Sequence, residues 1–271
     1  MDKIIISFSG GRSSAYLAYK MQFSPEFANI EKHYVFANTG KELEETLVFV
    51  DRCDKEFGLN LTWVEAVINP EMGVGCDYKF VDFSTADRTG KPFDDMVKKF
   101  GIPNKDFPHC TRELKERPMG KWAKDCFGDN YIWALGMRAD ERHRQKGGSK
   151  IYPLITTWPT NERMVRDFWS RMPFDLNLKD YQGNCDLCWK KSLNKRLTII
   201  SENPAIVEQW REWESGSEYV FDRSGLTIDE ISRMATSKKF KKAVDKHELR
   251  KLFPELELID IDAESSCTCA A

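Results

Sequence analysis

The chain has 271 residues, 41% of them hydrophobic and 31% charged, enough for a full buried core in one domain with additions or in two small domains. Its 41 basic and 43 acidic residues leave a formal charge of −2, which excludes the footprint of a general nucleic-acid binder but permits a local basic groove. No run approaches the roughly 18 apolar residues of a membrane helix, and no secretory pattern accompanies the eight cysteines, so metal or redox chemistry competes with a disulfide framework in what reads as a soluble cytoplasmic protein.

The run Lys3-Ile4-Ile5-Ile6-Ser7-Phe8 is too short for a helix and too apolar for an exposed edge. It predicts a central strand buried on both faces, and no cleavage site follows that would make it a signal peptide. A Ser-Gly-Gly turn and a helical stretch from Ala15 to Met21 come next, the opening of a βαβ unit. Residues 33–38 predict a second strand. Residues 42–57 place Leu43, Leu47, Val50, Cys53 and Phe57 at helical spacing, with Gly58 as the stop. Residues 61–67 predict a third strand. Alternation of this kind points to an open, mostly parallel sheet covered on both faces.

Residues 70–110 are rich in glycine and proline and predict one short helix over 93–100 in an irregular insertion suited to substrate contacts. A further strand at 131–135 runs into Gly136-Met137-Arg138-Ala139-Asp140-Glu141, and residues 146–150 read as a mobile loop. From about residue 160 the pattern turns helical. Residues 162–172 set Met164, Val165, Phe168, Trp169 and Met172 on one face, Asn203-Pro204 predicts a capped helix start, and residues 227–230 form a capping box. A basic, weakly amphipathic helix is expected over 236–252. An acidic, frayed tail, with a short strand as the alternative, closes the chain at 255–271. Trp169, Trp210 and Trp213 read as core.

Ser9-Gly10-Gly11-Arg12-Ser13-Ser14 follows the first strand and opens a helix. Glycines let backbone amides approach an anion, and the helix terminus adds partial positive charge. The hydroxyls of Ser9, Ser13 and Ser14 and the charge of Arg12 suit phosphate. Ordinary strand-to-helix punctuation is the bland reading of such a turn.

Four stretches in order shift the balance. They are the glycine loop; Phe36-Ala37-Asn38-Thr39-Gly40-Lys41-Glu42 with Glu45-Thr46; Cys110-Thr111-Arg112-Glu113-Leu114-Lys115-Glu116-Arg117-Pro118; and residues 136–141. Across residues 4–192 the chain resembles the phosphoadenosine phosphosulfate (PAPS) reductase-like family of the PP-loop adenine nucleotide α-hydrolase superfamily. The resemblance implies a Rossmann-like α/β fold. It places a PP-loop nucleotide-binding domain at residues 1–160, a helical region with a C-x-x-C knuckle at 161–254 and a flexible acidic tail at 255–271.

The resemblance also implies that Ser9, Gly10, Gly11, Arg12, Ser13, Ser14 and Gly136 hold the phosphates of an adenosine nucleotide, PAPS or ATP. Asn38, Thr39 and Glu42 would flank the nucleotide, and Lys115 and Arg138 would act as catalytic cations, a surface ion pair being the competing reading of those two. Asp140 and Glu141 would hold magnesium if the nucleotide is ATP, or else orient Arg138. The chain departs from the family in two places. ATP-cleaving members usually carry aspartate at the position of Ser13, and the Glu-Cys-Gly-Leu-His tail motif of assimilatory reductases is missing. The tail pair Cys267 and Cys269 sits in acidic surroundings that disfavour a reactive thiolate.

Cys185 and Cys188 form a C-x-x-C on a Gly-Asn turn, a common way to offer two thiolates to one metal. By resemblance Cys110 is the third ligand, with Cys76, His109, a tail cysteine or nothing as the fourth. A [4Fe–4S] cluster, zinc, and metal-free packed thiols remain open at this point. Three functions remain open as well: sulfonucleotide reduction or related sulfur chemistry, ATP-dependent adenylation or thiolation of a base or small acceptor with pyrophosphate release, and non-catalytic nucleotide binding. The first two imply a reductant or sulfur-donor partner. A nucleic-acid substrate, through the helix at 236–252, the loop around His143 or the ring of Trp189, and a homo-oligomer also stay open.

Overall fold

The computed structural model describes residues 3–183, 185–240 and 253. Strand and helix alternate through β1 (Lys3–Ser7), α1 (Arg12–Phe23), β2 (Lys32–Asn38), α2 (Glu44–Phe57), β3 (Thr62–Ile68), β4 (Cys76–Val81) and α3 (Lys91–Phe100). Then α4 (His109–Thr111), a π-helical turn at Arg112–Glu116 and α5 (Arg117–Phe127) run on directly from one another. β5 (Tyr131–Leu135), β6 (Lys150–Ile151) and α6 (Pro153–Thr156) follow, and then α7 (Glu162–Trp169), α8 (Leu193–Glu202), α9 (Val207–Ser215) and α10 (Ile228–Thr236).

The strands form one sheet in the order β4-β3-β2-β1-β5-β6, parallel except for the antiparallel edge strand β4. Successive side chains alternate between its faces. Ile4, Ile6, Tyr34 and Phe36 pack on one side with α1, α2 and α7, while Ile5, Val35 and Val64 pack on the other with Met119 and Trp122 of α5. Burial on both faces explains why β1 and β2 read as near-continuous apolar runs. A further core gathers α3, α8, α9 and α10 around Phe93, Leu197, Trp210 and Ile231. The chain is therefore the expected Rossmann-like α/β sheet followed by helices.

Several local expectations differ from the structure. The irregular segment 70–110 contains β4, whose alternation is masked because its outward residues, Asp77, Lys79 and Phe80, are solvent-exposed at the sheet edge. Residues 109–127 are helical despite Pro118, which follows the π-helical turn at Arg112–Glu116. Residues 146–150 are tied down: the Tyr152 hydroxyl accepts from Lys146 N–H at 3.1 Å and donates to its carbonyl at 2.9 Å, and Lys150 pairs with β5. Val165 and Trp169 of α7 are buried, but Met164 is 46% exposed. Pro204–Ile206 is a 3-10 turn that Asn203 does not cap through its side chain, whereas the capping box of Thr227 and Glu230 forms. The helix expected over 236–252 and the tail at 255–271 lie outside the described residues, apart from 236–240 and Phe253.

Arg196 of α8 forms an ion pair with Asp222, both side chains at most 2% exposed. Removing one member of such a pair strands the other charge in low dielectric. Asp222→Ala is expected to cost about 3–5 kcal/mol in urea unfolding, without change in the α/β far-UV spectrum.

Candidate nucleotide site

β1 lies between β2 and β5, and the chain leaves it toward β2 before returning to β5 on the other side. In an open α/β sheet this reversal opens a crevice at the carboxyl ends of the strands. The glycine loop occupies that place. Gly10 has φ of +79°, and a Cβ there would come within 2.6 Å of Thr46 Cγ2, so both backbone conformation and space require glycine. Gly11 precedes α1 without any side-chain cap, and Ala15 N–H donates to Gly11 O at 3.0 Å across the turn. The amides of residues 12–14 thus start the helix with no intrahelical partner, the arrangement that suits an anion.

Across the crevice, Gly136 closes the gap. A Cβ on it would lie 2.8 Å from Ser14 Cα and 3.0 Å from Ser14 N. Two residues on, Arg138 Nη1 donates to Ser13 Oγ at 3.2 Å. Asp140 receives Arg138 Nε and Nη2 at 3.0 Å each. Burial alone would lower the guanidinium's pKa, but the hydrogen bond to Asp140 and the charges of Glu141 and Asp140 raise it instead. Arg138 is therefore a held, permanent cation aimed at the loop.

The other loop residues divide by role. Ser14 Oγ accepts from Ser9 N–H at 3.1 Å and donates to Gly11 O at 2.9 Å, so it braces the loop internally. Arg12 points elsewhere: its guanidinium grips Asp175 at 2.7 and 2.9 Å and also the Leu176 carbonyl, tying α1 to the segment after α7.

At the end of β2, Glu42 Oε2 accepts from Thr39 N–H at 2.8 Å and Thr39 Oγ1 at 2.7 Å, and its other oxygen faces Lys115 Nζ at 3.3 Å. Lys115 is buried, which disfavours its charge, yet Glu42 and the nearby thiols Cys185 and Cys110 outweigh burial and raise its pKa. The π-helical turn, a rare local winding found mostly at functional sites, presents this lysine. Asn38 is fully buried and serves structure, donating to Glu65 Oε1 at 2.6 Å and to the Asp87 carbonyl at 2.8 Å.

The knuckle folds over this edge. Cys185 bridges to Glu42 in a β-bridge, and its Sγ lies 3.7 Å from Thr39 Oγ1. Burial, then the charge of Glu42, holds the Cys185 thiol well above its usual range; burial does the same for Cys110. Sequence reasoning missed the polar ties of this segment. Lys41 Nζ pairs with Asp186 at 2.8 Å, and Lys191 is buried beside Cys185 and Cys188 with its pKa lowered by burial. Lys41 lies within a stretch already singled out and Lys191 follows the C-x-x-C, and that placement was the only available signal.

The metal ligand set is not supported. Among the described residues no group of three or more His, Cys, Asp or Glu side chains is placed to hold a metal ion. Cys76 sits in β4 with Glu113 and Arg117 as its charged neighbours, and His109 Nδ1 is hydrogen-bonded to Arg112 at 3.0 Å. Neither completes a site with Cys110, Cys185 and Cys188 among the described residues. The tail thiols lie outside the described residues. Glu141 and Asp140, the magnesium candidates, are engaged by arginines: Arg138 Nη2 to Asp140, and Arg144 to Glu141. No described helix is long and apolar enough to cross a membrane.

Residues 3–78 match the phosphoadenosine phosphosulfate reductase domain, a link to the PP-loop adenine-nucleotide-binding family. The chain is 34% identical over 244 residues to the uncharacterized nin region protein ORF290 of Escherichia phage lambda, covering 85% of this chain and 84% of that protein. It belongs to the family of that phage protein. An uncharacterized protein of Methanocaldococcus jannaschii, MJ0066, is 22% identical over 225 residues, which span 78% of this chain and 41% of that protein.

Gly136→Ala is expected to push β5 away from the loop and weaken adenosine-phosphate binding at least about tenfold, equivalent to ~1.4 kcal/mol, with cooperative unfolding retained. Calorimetric titration reads this directly. The thiols give a second check. Among the described cysteines, iodoacetamide at pH 8 should modify exposed Cys126 first and leave buried Cys53 and Cys185 unmodified until unfolding. Cys76, pushed up to about 11 by burial and by Glu113, should gain reactivity as pH rises toward that value.

Proposed function

We propose that the chain binds a sulfonucleotide, PAPS or adenosine phosphosulfate, with its phosphate in the glycine loop, and passes the sulfonate to a thiol. The observation that carries the reading is the cationic anion cradle formed by the α1 amino terminus, Ser13 and Arg138. Asp140 and Glu141 are committed to arginines, which favours a nucleotide gripped by amides and cations over one presented by carboxylate-held magnesium.

The chemistry takes two electrons. A thiolate of a reductant dithiol attacks the sulfonate sulfur, a sulfur–sulfur bond forms, and the sulfur–oxygen bond to phosphate breaks. The departing nucleotide phosphate leaves into the field of Arg138 and the α1 amides, which stabilise charge as it develops. The second thiol of the reductant then attacks the sulfur of the first, releases sulfite and completes a disulfide, the two thiol protons passing to solvent. Lys115 would face the sulfonate as a point charge, held in place by Glu42. The dithiol comes from a partner, because Cys110 and Cys185 are buried and held protonated.

Incubation with PAPS and dithiothreitol should release sulfite, and Arg138→Ala should slow release by about 10²-fold or more, the usual effect of losing one charge-stabilising donor. Pyrophosphate release from ATP would replace this reading with adenylation. Tight nucleotide binding with neither product would replace it with a non-catalytic sensor.

A further inference from the structure

Gly136 faces the glycine loop, so the side chains on either side of it, Leu135 and Met137, face the opposite side of the β5 end. There they form one wall of a cavity of about 400 Å³. The rest of the lining comes from three separate segments: the turn at 108–116, the segment 144–152, and Trp189 with Lys190 after the knuckle. Among the lining residues Arg112, Arg144, Lys146, Lys150 and Lys190 are cationic, and Glu116 is the sole carboxylate.

The imbalance is not consumed internally. Arg112 and Arg144 are paired to Glu113 and Glu141, but Lys146, Lys150 and Lys190 make no ion pair among the described residues. A chain with net charge −2 has acidic side chains to spare, yet three cations converge here unneutralised. Their positions are prepared rather than random. The Tyr152 hydroxyl closes the 146–152 turn on both backbone groups of Lys146, Lys150 is anchored by pairing with β5, and Lys190 lies 5.3 Å over the Trp189 ring. Clustered cations at the mouth of a cavity focus field on an anion. Leu135, Met137, Tyr152 and Trp189 supply an apolar wall for the body that carries it.

We infer that this cavity is a second binding site, across β5 from the glycine loop, for a phosphate-bearing ligand of about mononucleotide size. The volume lies at the small-ligand end of binding pockets, which span roughly 300–1,000 Å³. A free sugar phosphate and the phosphorylated end of a nucleic-acid strand share this chemistry. The inference does not depend on which nucleotide the glycine loop takes.

The test uses ribose 5-phosphate and a 5′-phosphorylated single-stranded oligonucleotide as probes, titrated calorimetrically into the full chain, with ribose as the uncharged control. Either phosphate probe should bind, ribose should not, and binding should weaken with added salt. In the Lys146→Ala/Lys150→Ala/Lys190→Ala variant, whose thermal melt should match the parent because these side chains are partly or fully exposed, affinity should fall about tenfold or more. Ser13→Ala, at a glycine-loop residue that does not line the cavity, should leave it unchanged, which separates the two sites. Strand binding without sugar-phosphate binding assigns the phosphate to nucleic acid and supports the site equally. Absence of binding by both phosphates, equal binding of ribose, or binding lost in Ser13→Ala and kept in the lysine variant would overturn the inference.

Discussion

The close approach of Gly136 to the backbone of Ser13 and Ser14 is the constraint on which the site depends. It joins two strands that are neighbours in the sheet but more than a hundred residues apart in the chain. Because the contact is backbone against backbone, it leaves no room for a side chain on β5, and it brings Arg138 within reach of the Ser13 hydroxyl. Strand alternation then does the rest. One side of the β5 end serves the glycine loop, and the other lines the cationic cavity. A single small residue thus stands between the glycine loop and the cationic cavity.

Buried charge ties the later helices to this edge. Lys115 with Glu42, and Lys41 with Asp186, link the sheet to the π-helical turn and to the knuckle through side chains that are nearly out of contact with water. Pairs of this kind contribute little net stability, because desolvation offsets attraction, but each is costly to break on one side only. Their effect is positional. Thr39, Glu42, Lys115 and Cys185 are held in one hydrogen-bonded group, so the cysteine segment cannot move without disturbing the end of β2.

Much of this was legible in the chain, and what was not has a common cause. The apolar runs of β1, β2 and β3 gave away a doubly covered sheet, and glycine followed by serines at a strand end gave away the loop. Asp140 and Glu141 were legible as residues that orient Arg138, though its bond to Ser13 was not. Arg12 misled, since nothing local foretells that Asp175 will claim it. Glu65 stands fully buried in the middle of β3, where pattern alone reads it as an outward residue, because Asn38 and the Asp87 amide supply its hydrogen bonds from other segments. The edge strand β4 escaped for the opposite reason: exposed side chains blur the period on which strand recognition rests. Cys185 and Cys188 looked like ligands by spacing and Cys110 by resemblance, and the fold gives Cys185 and Cys188 burial and a buried lysine neighbour but no group of metal donors among the described residues.

The central claim is that backbone amides at the start of α1, with Arg138, receive the phosphate of an adenosine nucleotide. A crystal structure of the chain grown with adenosine 3′,5′-bisphosphate tests it most directly. The 5′-phosphate should lie within hydrogen-bond distance of the amides of residues 12–14 and of the Arg138 guanidinium. A nucleotide bound with its phosphate away from the crevice between β1 and β5, or a loop that stays closed on itself with the ligand absent at saturating concentration, would contradict the account.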